Sequence, residues 1–271
     1  MTCIKFEIPT ASTGQSEILI AELSHINFYS FEENENSLSA FINDTDLDED
    51  ALQEVLAAQH VSCIRTEMPD TNWNAKWESE FEPVVIENLV AVRADFHQPV
   101  HGVRFDIIIT PRMSFGTGHH ATTFLMLQEM GHMKFNGKSV LDFGTGTGVL
   151  AIMAEMMGAK KVLAIDNDVW SIRNANENVA ANACVAITVK QASDLEGMDE
   201  FDIIVANINL HVITGNASQL AAICYASSQL LLSGFLHTDE AKVANIFMEK
   251  GFQHIHTSHK GEWISMLLTK S

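Results

Sequence analysis

Two stretches of this 271-residue chain spell Gly-Thr-Gly: "MSFGTGHHATT" at 113–123 and "VLDFGTGTGVLAI" at 140–152, with 28 positions between their first glycines. Glycine loses more backbone freedom on folding than any other residue, so such triplets stand where a backbone turns sharply or approaches something closely. In the second stretch Asp142 lies near the end of a short apolar run, and Gly144, Gly146 and Gly148 carry the chain into a helical pattern. Glycines in that setting let backbone amides approach a ligand and leave the positive helix end open to an anion. Asp166 follows Gly144 by 22 residues, at the end of the next apolar run. A carboxylate there can accept hydrogen bonds from both hydroxyls of a ribose. Turn and acid together point to a nucleoside ligand. The spacing is Gly-x-Gly-x-Gly rather than the dinucleotide Gly-x-Gly-x-x-Gly, and no Gly-Lys-Ser/Thr is present to make a triphosphate loop.

The elements that must hold these residues follow from apolar periodicity. "SVLDF" (139–143), "KVLAID" (161–166), "AITVKQ" (186–191), "FDIIVAN" (201–207) and "QLLLSGF" (229–235) read as strands with helical patterns between them. "QHIHTSH" and "EWISMLLT" have no helix between them and read as a terminal hairpin. Strand–helix repetition implies a parallel sheet covered on both faces, with ligands at the carboxyl ends of its strands. The first 65 residues instead read β-α-β-β-α-β. Strands are expected at 3–8, 28–33, 37–42 and 60–68, a helix at 16–26 with Leu19, Leu23 and Ile26 on one face, and a helix at 48–59 with Leu52, Val55 and Leu56. This is the ferredoxin-like α+β order, a fold that hosts many functions and names none. Between them, "MPDTNWNAKWESEFEP" (68–83) sets Trp73, Trp77 and Phe81 four apart, one stripe along a short helix bracketed by Pro69 and Pro83. A structural seam and a substrate-stacking surface both fit that stripe. The expected domains are therefore 1–65, a connector at 66–82, and 83–271.

Charge narrows the partners. Sixteen Lys and Arg stand against 35 Asp and Glu, for −19 overall, which disfavours direct contact with a nucleic-acid backbone. Residues 1–70 hold 14 acids and only Lys5 and Arg65, for −12. Such a surface is either solvated bulk or a docking face for a basic partner. Cys3, Cys63, Cys184 and Cys224 lie far apart without metal-like spacing and read as reduced thiols of a cytoplasmic protein. No apolar run reaches membrane-spanning length, and "MTCIKFEIPT" lacks the shape of a signal peptide. His254, His256 and His259 look metal-like, but their near-alternation on a terminal strand reads as exposed surface, and no metal is expected.

The string "VLDFGTGTG" resembles the first motif of S-adenosylmethionine-dependent methyltransferases. With "FGTGHHATT" upstream and "AIDND" and "VANI" downstream, the chain resembles the ribosomal protein L-eleven methyltransferases (PrmA) over nearly its whole length. The family pattern at the upstream loop is Phe-Gly-Thr-Gly-Thr-His-Pro-Thr-Thr. This chain keeps Phe115, Gly116, Thr117, Gly118, His120, Thr122 and Thr123, and writes His119 for the threonine and Ala121 for the proline. The resemblance implies a Rossmann-like, seven-stranded class I methyltransferase domain behind the small ferredoxin-like one. It implies S-adenosyl-L-methionine as cofactor and the α-amine and lysines of ribosomal protein L-eleven as acceptors, a partner for which the acidic amino-terminal domain is the expected docking face. It places the cofactor against Phe115, Thr117, Gly118, Thr122, Thr123, Asp142, Gly144, Gly146, Gly148, Asp166, Asn167, Asp194 and Asn207, with the upstream loop closing over the glycine turn. Asp194 sits where such enzymes hold the adenine, or is a plain turn former. Asn207, at the end of the fourth strand, is the catalytic candidate, since its carboxamide oxygen can accept a hydrogen bond from an amine. Alternatively, Asn207 or Asn209 caps the next helix. His120 could serve as a base or only as a hydrogen-bonder within the loop. A methyltransferase for another protein or a small molecule, and a non-catalytic nucleoside-binding regulator, are the competing readings.

Overall fold

Alternating apolar residues at the start of the chain form strand β1 (Cys3–Pro9), which buries Ile4, Phe6 and Ile8 on one face. The computed structural model describes residues 3–34, 36–67, 81–111 and 114–271, which belong to two units, Met1–Glu80 and Phe81–Ser271. In the first unit β1 is followed by α1 (Thr13–His25), β2 (Ser30–Asn34), β3 (Ser37–Asn43), α2 (Glu49–Ala58) and β4 (Ile64–Glu67). The sheet order is β2-β3-β1-β4 with antiparallel neighbours throughout, the split arrangement expected of β-α-β-β-α-β. Helix α1 starts three residues before the expected 16–26 because the Ser12 hydroxyl accepts the Gln15 amide. Asp48 caps α2 in the same way through the Ala51 amide. Leu19 and Leu23 of α1 and Leu52 and Leu56 of α2 close the core over the sheet. Strand β4 is shorter than 60–68 because α2 ends through a left-handed His60 (φ 53°) before the chain extends. Trp73 and Trp77 of the expected connector stripe lie outside the described residues. Phe81 begins the second unit, stacked on His97 at 5.9 Å.

The second unit opens with a feature absent from the sequence reading, a three-stranded sheet of β5 (Val84–Ile86), β6 (Val90–Ala94) and β7 (Phe105–Ile109). Arg93, 5% exposed, is held in it by both oxygens of Asp106 at 2.9 Å and by the carbonyls of Ala94 and His97 at 3.2 and 2.8 Å. A charge survives burial only when it is paired and hydrogen-bonded in this way. Helix α3 (Ala121–Met130) follows, buried along most of its length. It therefore lacks the polar face that makes a helix visible as a stripe.

The main sheet comprises β8 (Ser139–Phe143), β9 (Lys161–Asp166), β10 (Ile187–Gln191), β11 (Phe201–Asn207), β12 (Cys224–Leu236), β13 (Phe252–Lys260) and β14 (Trp263–Lys270). Its order is β10-β9-β8-β11-β12-β14-β13. The first five strands are parallel, and the β13–β14 hairpin closes the edge antiparallel. Helices α4 (Val149–Met156), α5 (Val169–Ala181), α6 (Leu210–Gly215), α7 (Ala217–Ala222) and α8 (Glu240–Met248) connect the strands. Two apolar clusters line the sheet, one centred on α4 and β8, the other on β11, β12 and α8. The whole is a Rossmann-like α/β sheet whose order reverses between β8 and β11, so the site is expected at that crevice. Cys63, Cys184 and Cys224 are free thiols, and burial pushes Cys184 up to about 11 and Cys224 up to about 12. Among the described residues, no helix is long and apolar enough to cross a membrane.

Candidate functional site

The two Gly-Thr-Gly turns are bonded to each other. Thr147, inside the second, donates its amide to the carbonyl of Phe115 at 2.9 Å and its hydroxyl to the carbonyl of Gly116 at 2.8 Å. Their contact is so close that a Cβ on Gly146 (φ +54°) would stand 2.2 Å from the Phe115 oxygen. The glycines serve a different purpose from the amide presentation expected of them. The amides of Gly144 and Thr145 go to Ile165 O, that of Gly146 to Asp166 Oδ2, and that of Gly148 to Thr145 O. These residues make room, and their amides shape the turn itself.

Three asparagines spaced four apart, Asn174 and Asn178 of α5 and Asn182 at its C-cap, hold that arrangement from behind. Asn178 donates to Thr147 O at 2.8 Å and accepts the amide of Thr110 at 2.7 Å. Asn182 accepts the Ile108 amide at 2.9 Å, and Asn174 donates to Thr110 O at 3.1 Å. The spacing of four puts all three on one helix face, which binds the end of β7 to the glycine turn. Asp142 lies under the turn, 1% exposed, and its Oδ2 accepts the Thr145 hydroxyl at 2.6 Å. Its Oδ1 has no hydrogen-bond partner among the described residues, although the Ala151 amide in the first turn of α4 favours the charged form. Burial is the main influence, reinforced by the nearby Asp166 charge, and it pushes the Asp142 carboxyl up to about 7.

Above the turn, a cavity of about 550 Å³ opens at the carboxyl ends of the strands. Phe143 and Gly144 at the end of β8, Asp166 and Asn167 at the end of β9, Ala192 and Ser193 beyond β10, and Asn207 and Ile208 at the end of β11 form its walls. Asp166 is oriented by its own backbone surroundings, with Oδ2 accepting the Gly146 amide at 2.9 Å and Oδ1 the Asp168 amide at 3.0 Å. Each carboxylate oxygen retains a lone pair beyond these, which suits a vicinal diol. The Asn207 carboxamide donates from Nδ2 to Thr123 Oγ1 at 3.2 Å, while its buried Oδ1 has no partner among the described residues. Helix α6 is capped by Asn209, whose side chain accepts the Val212 amide at 3.1 Å. The cap that the sequence left open between Asn207 and Asn209 thus falls to Asn209. Ile208 is seated between glycines: a Cβ on Gly144 would meet its Cγ2 at 2.1 Å, and one on Gly234 its carbonyl oxygen at 2.1 Å.

His120 caps α3 by accepting the Thr122 amide at Nδ1, 3.3 Å, so the neutral ring carries its hydrogen on Nε2. Neither nitrogen then has a lone pair free to take a proton from an amine. The ring lies edge-on to Phe115 (5.1 Å) and Trp263 (4.8 Å), and all three line the cavity.

Of the residues expected to hold a cofactor, Phe115, Thr122, Gly144, Gly146, Asp166, Asn167 and Asn207 come together on this cavity. Thr123 joins them through Asn207, and Asp142 and Gly148 stand behind the turn, Gly148 as the left-handed cap of α4. Thr117 and Gly118 face the other side of the loop, toward His119 and Val84. Asp194 lines a separate hollow with Lys161 and Lys190, and its Oδ1 accepts the Glu196 amide at 3.1 Å. His254 and His256 engage Thr257 and Ser258. Among the residues missed from the sequence, Gly234 and Trp263 reach the cavity through sheet order, and Ser171 and Asn216 on the helices that follow β9 and β11. Only the short apolar flank of Gly234 in "LLLSGF" offered a local signal.

The family model for ribosomal protein L11 methyltransferase (PrmA) matches residues 7–271. The ribosomal protein L11 methyltransferase of Bacteroides fragilis is 37% identical over 269 residues, 96% of each chain. That of Porphyromonas gingivalis is 40% identical over 264 residues, covering 93% of this chain and 90% of the relative. The crystal structure of ribosomal protein L11 methylase from Lactobacillus delbrueckii subsp. bulgaricus is similar with a TM-score of 0.65 at 30% identity, covering 70% of this chain and all of that one. Glycine turn, strand-end acid, closing loop and whole-chain likeness agree, and the chain belongs to the ribosomal protein L11 methyltransferase (PrmA) family.

Proposed function

We propose that this chain transfers methyl groups from S-adenosyl-L-methionine to amines of ribosomal protein L11, both its α-amine and lysine side chains. The observation that carries the reading is Asn207 Oδ1, buried without a hydrogen-bond partner among the described residues on the wall of a strand-end cavity that also contains Asp166. A buried acceptor without a donor is costly, and an amine hydrogen would satisfy it. The fit to the cofactor rests on the Asp166 lone pairs, on a cavity of about 550 Å³, and on the room that Gly144 and Gly146 leave by lacking a Cβ.

The cofactor supplies an electrophilic sulfonium methyl. The chain must align a neutral amine with it and exclude water. Thr123 fixes the Asn207 carboxamide so that its oxygen accepts from the amine and directs the nitrogen lone pair. Phe115, His120 and Trp263 give that wall an apolar, aromatic character, which disfavours the ammonium over the amine. Deprotonation at pH 7 costs about 1.4 kcal/mol for an α-amine of pKa about 8, and near 5 kcal/mol for lysine at about 10.4. With the Nδ1 lone pair of His120 given to Thr122 and the hydrogen on Nε2, the proton leaves to solvent.

The acidic first unit docks the basic substrate, a role supported by its −12 over residues 1–70. A cytoplasmic setting fits the free thiols and a ribosomal substrate. The test is transfer of a labelled methyl group to purified ribosomal protein L11, with Asn207→Ala alongside. The wild type should label the protein, and the variant should lose turnover at least tenfold with cofactor affinity within a few-fold. Cofactor binding without transfer to any protein would favour a nucleoside-binding regulator. Undiminished transfer by the variant would remove Asn207 from the acceptor site.

A further inference from the structure

Loop 115–120 is held on its far side by a residue with no role in the site described above. His119 lies with Nε2 3.0 Å from the carbonyl oxygen of Glu82 and Nδ1 3.2 Å from Thr117 Oγ1. A carbonyl only accepts, so Nε2 carries the hydrogen and Nδ1 accepts from the Thr117 hydroxyl. The ring also meets the edge of Phe81, with centroids 4.8 Å apart at 64°. Next to it, a Cβ on Gly118 would stand 3.2 Å from Val84 Cβ, so the loop backbone already touches the first residue of β5. The loop is thus caught between two fixed bodies: Thr147 on one side, and residues 81–84 on the other. Among the described residues, the loop's side-chain hydrogen bond to the second side is that of His119 to Glu82 O, and the bond from Thr117 Oγ1 braces the His119 ring from within the loop. The covalent chain adds little stiffness of its own, because the first residue of α3 is Ala121, where a proline would have fixed φ.

We propose that His119 is a positioning residue. It clamps the loop that carries Phe115 and His120 into the cavity wall onto the segment that opens the second unit, and so sets the affinity of the cavity for its cofactor. The clamp rests on the cofactor reading above, and its effect on the loop itself does not. Opening the loop would release the Thr147 amide from Phe115 O, which gives a readout in the cofactor-free protein.

The full chain and its His119→Ala and His119→Gln variants would be compared by calorimetry with S-adenosylmethionine, by amide hydrogen exchange at Thr147 without cofactor, and by thermal melting. Losing two solvent-exposed hydrogen bonds should weaken cofactor binding about three- to tenfold. Thr147 exchange should accelerate by a similar factor while the melting temperature stays within about 2 °C. Glutamine retains a donor for Glu82 O and should restore part of both effects. If His119→Ala binds the cofactor within twofold of wild type and exchanges Thr147 no faster, the clamp is refuted. A melting loss equal in both variants, with affinity unchanged, would make His119 a packing residue and would also overturn it. If the wild type itself fails to bind S-adenosylmethionine, the cofactor reading falls, and Thr147 exchange alone decides the clamp.

Discussion

Asp142→Asn should stabilise this protein, and by an amount that grows with pH. The side chain is 1% exposed, its Oδ1 has no hydrogen-bond partner among the described residues, and burial pushes its carboxyl from 3.8 up to about 7. Between those two values the folded chain binds more protons at this site than the unfolded chain does, so stability falls as pH rises through the window. Below the unfolded value both states are protonated and the penalty vanishes; above the folded value it is complete. At about 1.4 kcal/mol per pKa unit, the shift of roughly three units is worth about 4 kcal/mol at pH 8, about 3 at pH 6 and about 0.6 at pH 4. Asparagine keeps an oxygen for the Thr145 hydroxyl now 2.6 Å from Oδ2 and has no charge to desolvate. Its remaining difference from aspartate is the same at every pH.

The assay is the melting temperature of wild type and variant without cofactor, measured from pH 4.5 to 8. For a unit of this size each kcal/mol moves the midpoint about 2–4 °C, so the gap between the two proteins should widen on the order of 10 °C across the range. Every other titrating group is shared and cancels in the difference. A gap that stays constant from pH 4.5 to 8 would show that no buried ionisation occurs at position 142, and the account of the turn's foundation would fail with it.

Asp166→Ala should weaken S-adenosylmethionine binding about tenfold or more by calorimetry, since it removes the lone pairs offered to the ribose together with the acceptor of the Gly146 and Asp168 amides; unchanged affinity would sink that assignment. Gly146→Ala should be among the most damaging substitutions in the chain. Its Cβ would stand 2.2 Å from Phe115 O at a φ of +54°, so the loop must separate from the turn at a cost of about 2–4 kcal/mol, visible in denaturant unfolding. The apparent KM for ribosomal protein L11 should rise steeply from about 0.05 to 0.5 M salt while cofactor affinity changes little, because a field from −12 over residues 1–70 is screened within a Debye length. A salt-independent KM would leave that acidity as solvated surface.

The parts of the site legible in the sequence are those built from neighbours along the chain. Asp142, the three glycines and Asp166 span one strand, one turn and the next strand end, so their spacing alone places them together. The function of the glycines was not legible in that way. Their need comes from Phe115 O and Ile208 Cγ2, atoms that stand within 2.2 Å of an added Cβ and belong to segments 31 and 64 residues away from Gly146 and Gly144. Helix α3 left no stripe because it is buried on most sides, and Arg93 concealed β6 by placing a charge in a strand whose residues are all buried. Trp263 and Gly234 arrive through the β12-β14 order, which no local pattern encodes, and Asn216 through the end of α6.

The Asn207-Ile208-Asn209 turn shows why this matters for chemistry. It has no proline to stiffen it. In the folded chain the Ile208 amide donates to Ser233 O at 3.1 Å, its carbonyl presses on Gly234, its side chain fills the space left by Gly144, and Asn209 caps α6. The backbone that follows Asn207 is therefore held by three separate segments, and the rigidity that the proposed alignment of an amine demands comes from packing between distant glycines rather than from the residues of the turn.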